Sequence, residues 1–225
     1  SIWANCMWLK GVVMKAHYNG LIPRNPFIQF HISPNVKERE YLTEDELKAV
    51  MTHEFADSKL AYIHDIFIFA SFTALSFVDI QELTNDNIVE VNGEKWILSK
   101  RHKTKVAFQV KLLDIPLQIV ERYRPMQKDN RIFPGLNYWS ICKPLKRMIR
   151  ECGITKSISF HCSRHGFATL ALSKGMPIES VSRVLGHTNI VTTQLYAKIT
   201  TQKLDNDLTM FGDKLSKTFN GITMS

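Results

Sequence analysis

The sequence predicts a mostly helical α+β domain with a small three-stranded antiparallel sheet at one edge. Three observations carry that expectation. Apolar residues recur at helical spacing on both sides of one short alternating stretch. That stretch holds an Asn92-Gly93 dipeptide between β-favouring runs. Of the 225 residues, 44% are apolar, enough for one good core and a fragment of another domain.

Taken in order, Ile2–Tyr18 reads as an amphipathic helix ended by Gly20, and Pro23, Pro26 and Pro34 mark irregular chain beyond it. A domain boundary is expected near residue 35, dividing 1–35 from 36–225. In Y-L-T-E-D-E-L, Thr43 and Glu46 form a capping box that opens the first of two helices. A third helix follows Ser76. Residues Ile88–Val91 and 94–99 read as strands around Asn92-Gly93, whose two residues suit the tight turn that matches strand twist. After K-R-H-K-T-K, the alternating V-A-F-Q-V-K-L-L supplies a third strand. Helices are then expected from Pro116 and over 138–150.

The most informative stretch runs from His161 to Tyr196. F-H-C-S-R-H-G-F-A-T-L-A-L-S-K-G reads as a helix with Ser159 as N-cap, Phe160, Phe167, Ala168 and Ala171 on one stripe, and Gly175 as its stop. Arg164 falls inside that stripe. A guanidinium keeps its proton and is rarely buried unpaired, so its place near a helix N-terminus predicts an anionic partner such as phosphate. Pro177 opens a second helix with Ile178, Val181, Val184 and Leu185 at helical spacing, and Gly186 ends it directly before His187. Thr188 or Asn189 then caps a third helix, I-V-T-T-Q-L-Y-A-K, with Tyr196 in its last turn.

The order H-x-x-R, then L-G-H-T, then Tyr resembles the tyrosine recombinases, the phage-integrase family. The wording H-x-x-R-H-G-F-A-T with L-G-H-T-N-I-x-T-T-x-x-Y looks most like integrases of Bacteroides-type mobile elements. By matching positions, the resemblance implies that Tyr196 is the nucleophile, Arg164 the second arginine of the family's pair, and His161 and His187 the histidines beside the scissile phosphate. It implies the DNA breaking-rejoining fold over about residues 36–215. It also implies that 1–35 is the last helix and linker of a smaller core-binding domain whose remainder is missing.

The residue types suit that chemistry on their own terms. A tyrosine hydroxyl with a pKa near 10 is ionised in only about one molecule in a thousand at neutral pH, so it needs a base and a neutralised phosphate. His161 is a candidate base. Arg164 and His187 could stabilise the charge that gathers on the non-bridging oxygens, an effect worth about 3 kcal/mol per donor elsewhere. The family also uses a lysine as general acid for the departing 5′ oxygen. Lys103 matches that position, and Lys105 is its nearest competitor, since residues two apart on a strand share a face.

One departure stands out. Where the family has T-G-L-R-x-x-E/D with its first arginine, residues 73 to 79 read T-A-L-S-F-V-D, with Ser76 in the arginine place. Asp79 still matches the acidic residue that orients neighbouring groups in the family. A serine cannot neutralise a phosphate, so Arg101, two residues before Lys103, is the candidate substitute.

The net charge of +8 and pI near 9.3 favour a polyanionic partner, with basic residues gathered at 100–105 and 143–150. Lys100, Arg101 and Lys105 are therefore candidate DNA-binding residues, although a solvated basic face is the bland alternative. Cys6, Cys142, Cys152 and Cys162 lack C-x-x-C pairing, which fits buried small side chains in a reducing compartment. His161 and His165 have the spacing of a helical zinc pair, but Cys162 stands where H-E-x-x-H needs its glutamate and no third ligand is signalled. No metal or other cofactor is expected. No apolar run approaches a membrane span and no signal pattern opens the sequence, so a bacterial cytoplasmic, nucleoid-associated protein is expected.

The resemblance implies site-specific strand cleavage to a 3′-phosphotyrosine, then rejoining to a partner strand, so that a mobile element is integrated or excised. Implied partners are double-stranded DNA, further copies of the chain in a homotetramer, and accessory DNA-bending proteins. Residues 203–225 carry Leu204, Leu208, Met210, Phe211 and Leu215 among polar residues. They read as an amphipathic tail that packs either on its own domain or, as in the family, on a neighbouring protomer. Two alternatives stay open: a type IB topoisomerase, and a DNA-binding module that has lost catalysis with its first arginine.

Overall fold

The computed structural model describes residues 2–30, 40–102, 105–127, 129–197 and 201–218. The chain divides into two compact units, residues 1–38 and 39–225. In the first, α1 (Ile2–Tyr18) runs to a turn at Gly20, whose φ of 71° only glycine adopts cheaply. The expectation of an amphipathic helix does not hold there. Met7, Trp8 and Leu9 are consecutive and exposed, with Val12 and Met14 exposed one turn on, so apolar side chains face several directions.

The second unit is helical around a small sheet. The helix α2 (Glu44–Thr52) begins with the expected box: Thr43 Oγ1 accepts the Glu46 amide at 3.2 Å, and Glu46 Oε2 accepts the Thr43 amide at 2.7 Å. Next comes α3 (Ser58–Thr73), apolar on most sides and central to the core, where Ile66, Phe67, Phe69 and Ala70 are fully buried. A short α4 (Phe77–Gln81) follows. Strands β1 (Ile88–Val91), β2 (Glu94–Lys100) and β3 (Ala107–Lys111) pair antiparallel in that order, Ile88 opposite Ile97 and Ser99 opposite Phe108. Asn92 and Gly93 both take positive φ, 53° and 77°, as the tight hairpin requires.

Past the sheet, α5 (Asp114–Tyr123) holds Pro116 within its first turn, where its missing N–H is harmless. Next, α6 (Tyr138–Glu151) buries Ile141, Leu145, Met148 and Ile149 while exposing Lys143, Lys146, Arg147 and Arg150. The motif helices are α7 (His161–Ser173), α8 (Ile178–Leu185) and the one-turn α9 (Val191–Gln194). The last element is α10 (Thr201–Thr218), on which Leu204, Leu208, Met210, Phe211 and Leu215 are all exposed rather than packed on their own unit. Among the described residues, no helix is long and apolar enough to cross a membrane.

The main core joins α2, α3, α5, α6 and the inner face of the sheet. A second, smaller core of Ala74, Ala168, Leu172, Val181 and Leu185 holds α7 against α8, with Tyr196 packed on it. The site forms where these two cores meet. Phe160 bridges toward it by edge-to-face contacts with Phe67 and Phe77, which fix where α7 begins.

Candidate active site

Ser76 is a helix cap. Its hydroxyl accepts the Asp79 amide at 3.3 Å and donates to Asp79 Oδ2 at 2.7 Å, while its own amide donates to the same carboxylate at 3.2 Å. Asp79 is thereby turned to face the β2–β3 turn. There it accepts the Arg101 guanidinium at 2.7 Å and the His102 amide at 3.1 Å. Burial pushes the Asp79 carboxyl up, but the His102 amide, the Ser76 hydroxyl and the Arg101 guanidinium outweigh it and hold the pKa below the ordinary value.

Arg101 is 6% exposed and held on three sides. Besides Asp79, it donates Nη2–H to the Val184 carbonyl oxygen at 2.6 Å and lies 4.0 Å above the Phe108 ring. A Cβ on Gly186 would stand 2.9 Å from Arg101 Nε and 3.0 Å from its Cγ, so this residue must be glycine for space. Its left-handed φ of 62° also favours glycine. The sequence points to Arg101 by its position alone, on the assumption of a continuous strand. That assumption fails: β2 ends at Lys100, and Arg101 opens a turn closed by Lys105 N–H to its carbonyl oxygen. Lys105 has φ 57° and is exposed in that turn, so the strand-face argument for it fails as well. Lys100 is exposed too. Lys103 lies outside the described residues.

Arg164, on the second turn of α7, is 9% exposed. It donates Nη1–H to the Ala74 carbonyl oxygen at 2.8 Å and Nη2–H to that of Leu185. Ala74 sits where the resembling family has glycine and takes the left-handed conformation, φ 56°, at the end of α3. Burial, and then the neighbouring Arg101, pull the Arg164 pKa down to about 10, against the weaker opposing influence of Asp79 and Tyr196. Two buried guanidinium groups thus face one buried carboxylate. Among the described residues, each commits two of its five N–H donors to protein acceptors, which leaves three on each. An excess buried positive charge of this kind is relieved by an anion.

His187 follows Gly186 directly, is half-buried, and places Nδ1 2.8 Å from Thr193 Oγ1. Burial, then Arg164, Arg101 and His161, depress its pKa to about 4, so the ring is neutral at neutral pH. His161 is exposed at the start of α7, its ring 4.6 Å from that of His165. The His165 ring lies in turn 5.2 Å from Tyr196. Among the described residues, no cluster of His, Cys, Asp or Glu suits a metal. Arg101, Arg164, His161, His187 and Tyr196 are thus brought together around the ends of α3, α7 and α8.

Three local expectations are corrected. Ser159 does not cap α7: its hydroxyl and amide meet the Cys162 thiol at 3.3 Å, and the N-cap, Phe160, makes no side-chain cap bond. The third motif helix is shorter than its pattern. It stops at Gln194, so Tyr196 lies past its end, although Asn189 Oδ1 does accept the Val191 amide at 2.9 Å as a cap would. Of the four cysteines, all free, only Cys162 is buried. Sequence reasoning missed Thr193, Phe108 and the contact of Gly186 with Arg101. The only available signal was the small residue before His187.

A phage integrase family model matches residues 40–203. The chain belongs to the phage integrase family. Among curated members, the tyrosine recombinase XerA of Pyrococcus horikoshii is 30% identical over 177 residues, which cover 72% of this chain and 58% of that protein. The tyrosine recombinase XerC of Lactobacillus leichmannii is 26% identical over 200 residues, or 82% of this chain and 67% of that one. This chain therefore spans little more than half of the XerA it matches. Among solved structures, a Tn1549 transposon integrase in complex with a circular intermediate DNA superposes with a TM-score of 0.75 at 18% identity, covering 90% of this chain and 76% of that one. XerH bound to its difH substrate superposes at 0.63 with 21% identity, covering 78% and 54%. The mostly helical α+β fold with its three-stranded sheet is the integrase-family catalytic fold.

Proposed function

We propose that the chain is the catalytic part of a site-specific DNA recombinase that integrates or excises a mobile element. The observation that carries this reading is the pair of buried guanidinium groups with a single buried carboxylate, paired to Arg101, set beside a neutral histidine and a half-buried tyrosine. Tyr196 attacks the phosphorus and becomes joined to the 3′ side, releasing a 5′ hydroxyl. Arg164 and Arg101 hold the non-bridging oxygens, with Arg101 doing what the family's first arginine does and Asp79 positioning it. His187 donates a hydrogen bond to the same phosphate, His161 takes the tyrosine proton, and Lys103 or Lys105 protonates the leaving oxygen. A second transesterification by the partner strand's 5′ hydroxyl rejoins the DNA. Bond energy is conserved, so neither a nucleotide nor a metal is required.

Double-stranded DNA is the partner that the charge favours. Lys100, Lys105 and the exposed face of α6 with Lys143, Lys146 and Arg150 offer phosphate contacts. A homotetramer on DNA, linked through exchange of α10, accounts for a helix whose Leu204, Leu208, Phe211 and Leu215 lie uncovered at helical spacing. Accessory DNA-bending proteins belong to the same reading, and residues 1–35 serve as the end of a core-binding domain. The case for an inactive DNA-binding module rested on the missing arginine, and the placement of Arg101 beside Arg164 speaks against it.

The test is a nicked duplex spanning the element's junction, from which the fragment beyond the nick is lost after cleavage. The protein should accumulate in a covalent complex that Tyr196→Phe cannot form, and it should leave a supercoiled plasmid without the site unrelaxed. Relaxation of that plasmid would indicate topoisomerase activity, and no covalent complex would mean no cleavage.

A further inference from the structure

The bond between His187 and Thr193 fixes more than a ring orientation. A hydroxyl and an imidazole nitrogen 2.8 Å apart can share one proton in two ways. If Nδ1–H donated to Oγ1, the Thr193 proton would need another acceptor. Thr193 is fully buried, and among the described residues its hydroxyl has no partner besides His187. Nor does it bond back to a carbonyl one turn earlier, as Ser71 and Thr73 do on α3. A buried hydroxyl proton without an acceptor is disfavoured, so the hydroxyl donates and Nδ1 accepts. The neutral ring must then carry its proton on Nε2.

We infer that Thr193 is a positioning residue, whose hydroxyl holds His187 in the Nε2–H tautomer so that the ring presents an uncharged donor to the phosphate. This rests on the recombinase reading of the site. The opposite tautomer would present a lone pair to the phosphate oxygens and repel them. Burial and the neighbouring arginines keep the ring from protonating, so a tautomer lock is the means by which it remains a donor. Thr193 also accepts the Tyr196 amide on its carbonyl oxygen at 3.0 Å. The residue that sets the donor therefore belongs to the turn that carries the nucleophile.

The test uses the whole chain with 15N-labelled histidine and needs no DNA for its first arm. Long-range proton–nitrogen correlation, with His187 assigned by comparison with His187→Gln, should show a bare Nδ1 and a protonated Nε2. Thr193→Val keeps the shape and removes the hydroxyl. Its His187 should become a mixture of tautomers, and cleavage of the nicked duplex should slow by on the order of tenfold to a hundredfold. Thr193→Ser should restore both signals, which a purely packing role would not. A proton on Nδ1 in the wild type overturns the inference even if the valine variant fails to fold. So does a valine variant with an unchanged tautomer and normal cleavage. Failure of the wild type to form any Tyr196 adduct counts instead against the recombinase reading, because the tautomer is read without DNA.

Discussion

Replacing Gly186 with alanine should separate the strain of a left-handed turn from the displacement of an active-site guanidinium. Gly186 and Gly175 both end motif helices with positive φ, 62° and 88°. A Cβ at Gly175 meets nothing within 4 Å, whereas at Gly186 it stands 2.9 Å from Arg101 Nε. An alanine forced left-handed costs about 1–2 kcal/mol, part of which is offset by a less flexible unfolded chain, so Gly175→Ala should cost about 1 kcal/mol. At Gly186 the guanidinium must also retreat, yet it is pinned by Asp79 at 2.7 Å, the Val184 carbonyl at 2.6 Å and the Phe108 ring. Losing one charge-assisted bond there adds about 1.5–3 kcal/mol. Thermal unfolding should show Gly175→Ala lower by about 2–4 °C and Gly186→Ala lower by roughly 5–16 °C. Single-turnover cleavage should be near normal for the first and on the order of a hundredfold slower for the second. In the background of Arg101→Met, the activity cost of Gly186→Ala should vanish. Equal melting and equal cleavage for the two alanine variants would refute the claim that Gly186 makes room for Arg101.

Asp79→Asn leaves Arg101 buried with neutral acceptors only, and should lower stability by about 3 kcal/mol while slowing cleavage, as denaturant melts and trapping rates would show. Phe108→Leu removes the ring beneath the guanidinium but keeps an apolar side chain. A loss of about 1 kcal/mol in stability and several-fold in cleavage is expected, and an unchanged rate would mean that the ring contact is incidental. His187 is held near pH 4 when folded against 6.5 ordinarily, so the unfolded chain binds the extra proton between those values. Its contribution is present above about 6.5 and lost as pH falls through 4. Denaturant titrations between pH 7 and 4 should therefore show a steeper decline for wild type than for His187→Gln, and parallel curves would contradict the depressed pKa.

What the sequence disclosed and what it hid follow from range. The Asn92-Gly93 hairpin, the Thr43–Glu46 box and the glycine stop before His187 are decided by neighbours a few residues apart, and all three appear as read. Arg101 was found only by counting from a motif. Its bond to Asp79 joins residues 22 apart through a turn that the strand pattern did not foresee. Thr193 was indistinguishable from the threonine beside it, because only the fold shows which hydroxyl is buried against His187. The third motif helix looked longer than it is because apolar spacing continues through Leu195 and Tyr196. Leu195 is exposed, and Tyr196 packs on a separate small core after the helix has ended. In α1 the composition suggests an amphipathic helix, but Met7, Trp8 and Leu9 are consecutive, and three in a row cannot share a face.

The central claim is that two arginines distant in sequence, His187 and Tyr196 meet at one phosphorus. The most direct measurement is a structure of the protein on nicked DNA with orthovanadate in place of the scissile phosphate. Tyr196 Oη is expected to be bonded to vanadium in an axial position, with guanidinium donors of both Arg101 and Arg164 and Nε2 of His187 about 2.7–3.2 Å from its equatorial oxygens. A vanadate held by Arg164 with Arg101 turned wholly to Asp79 and Val184, or one that Tyr196 does not reach, would contradict the claim.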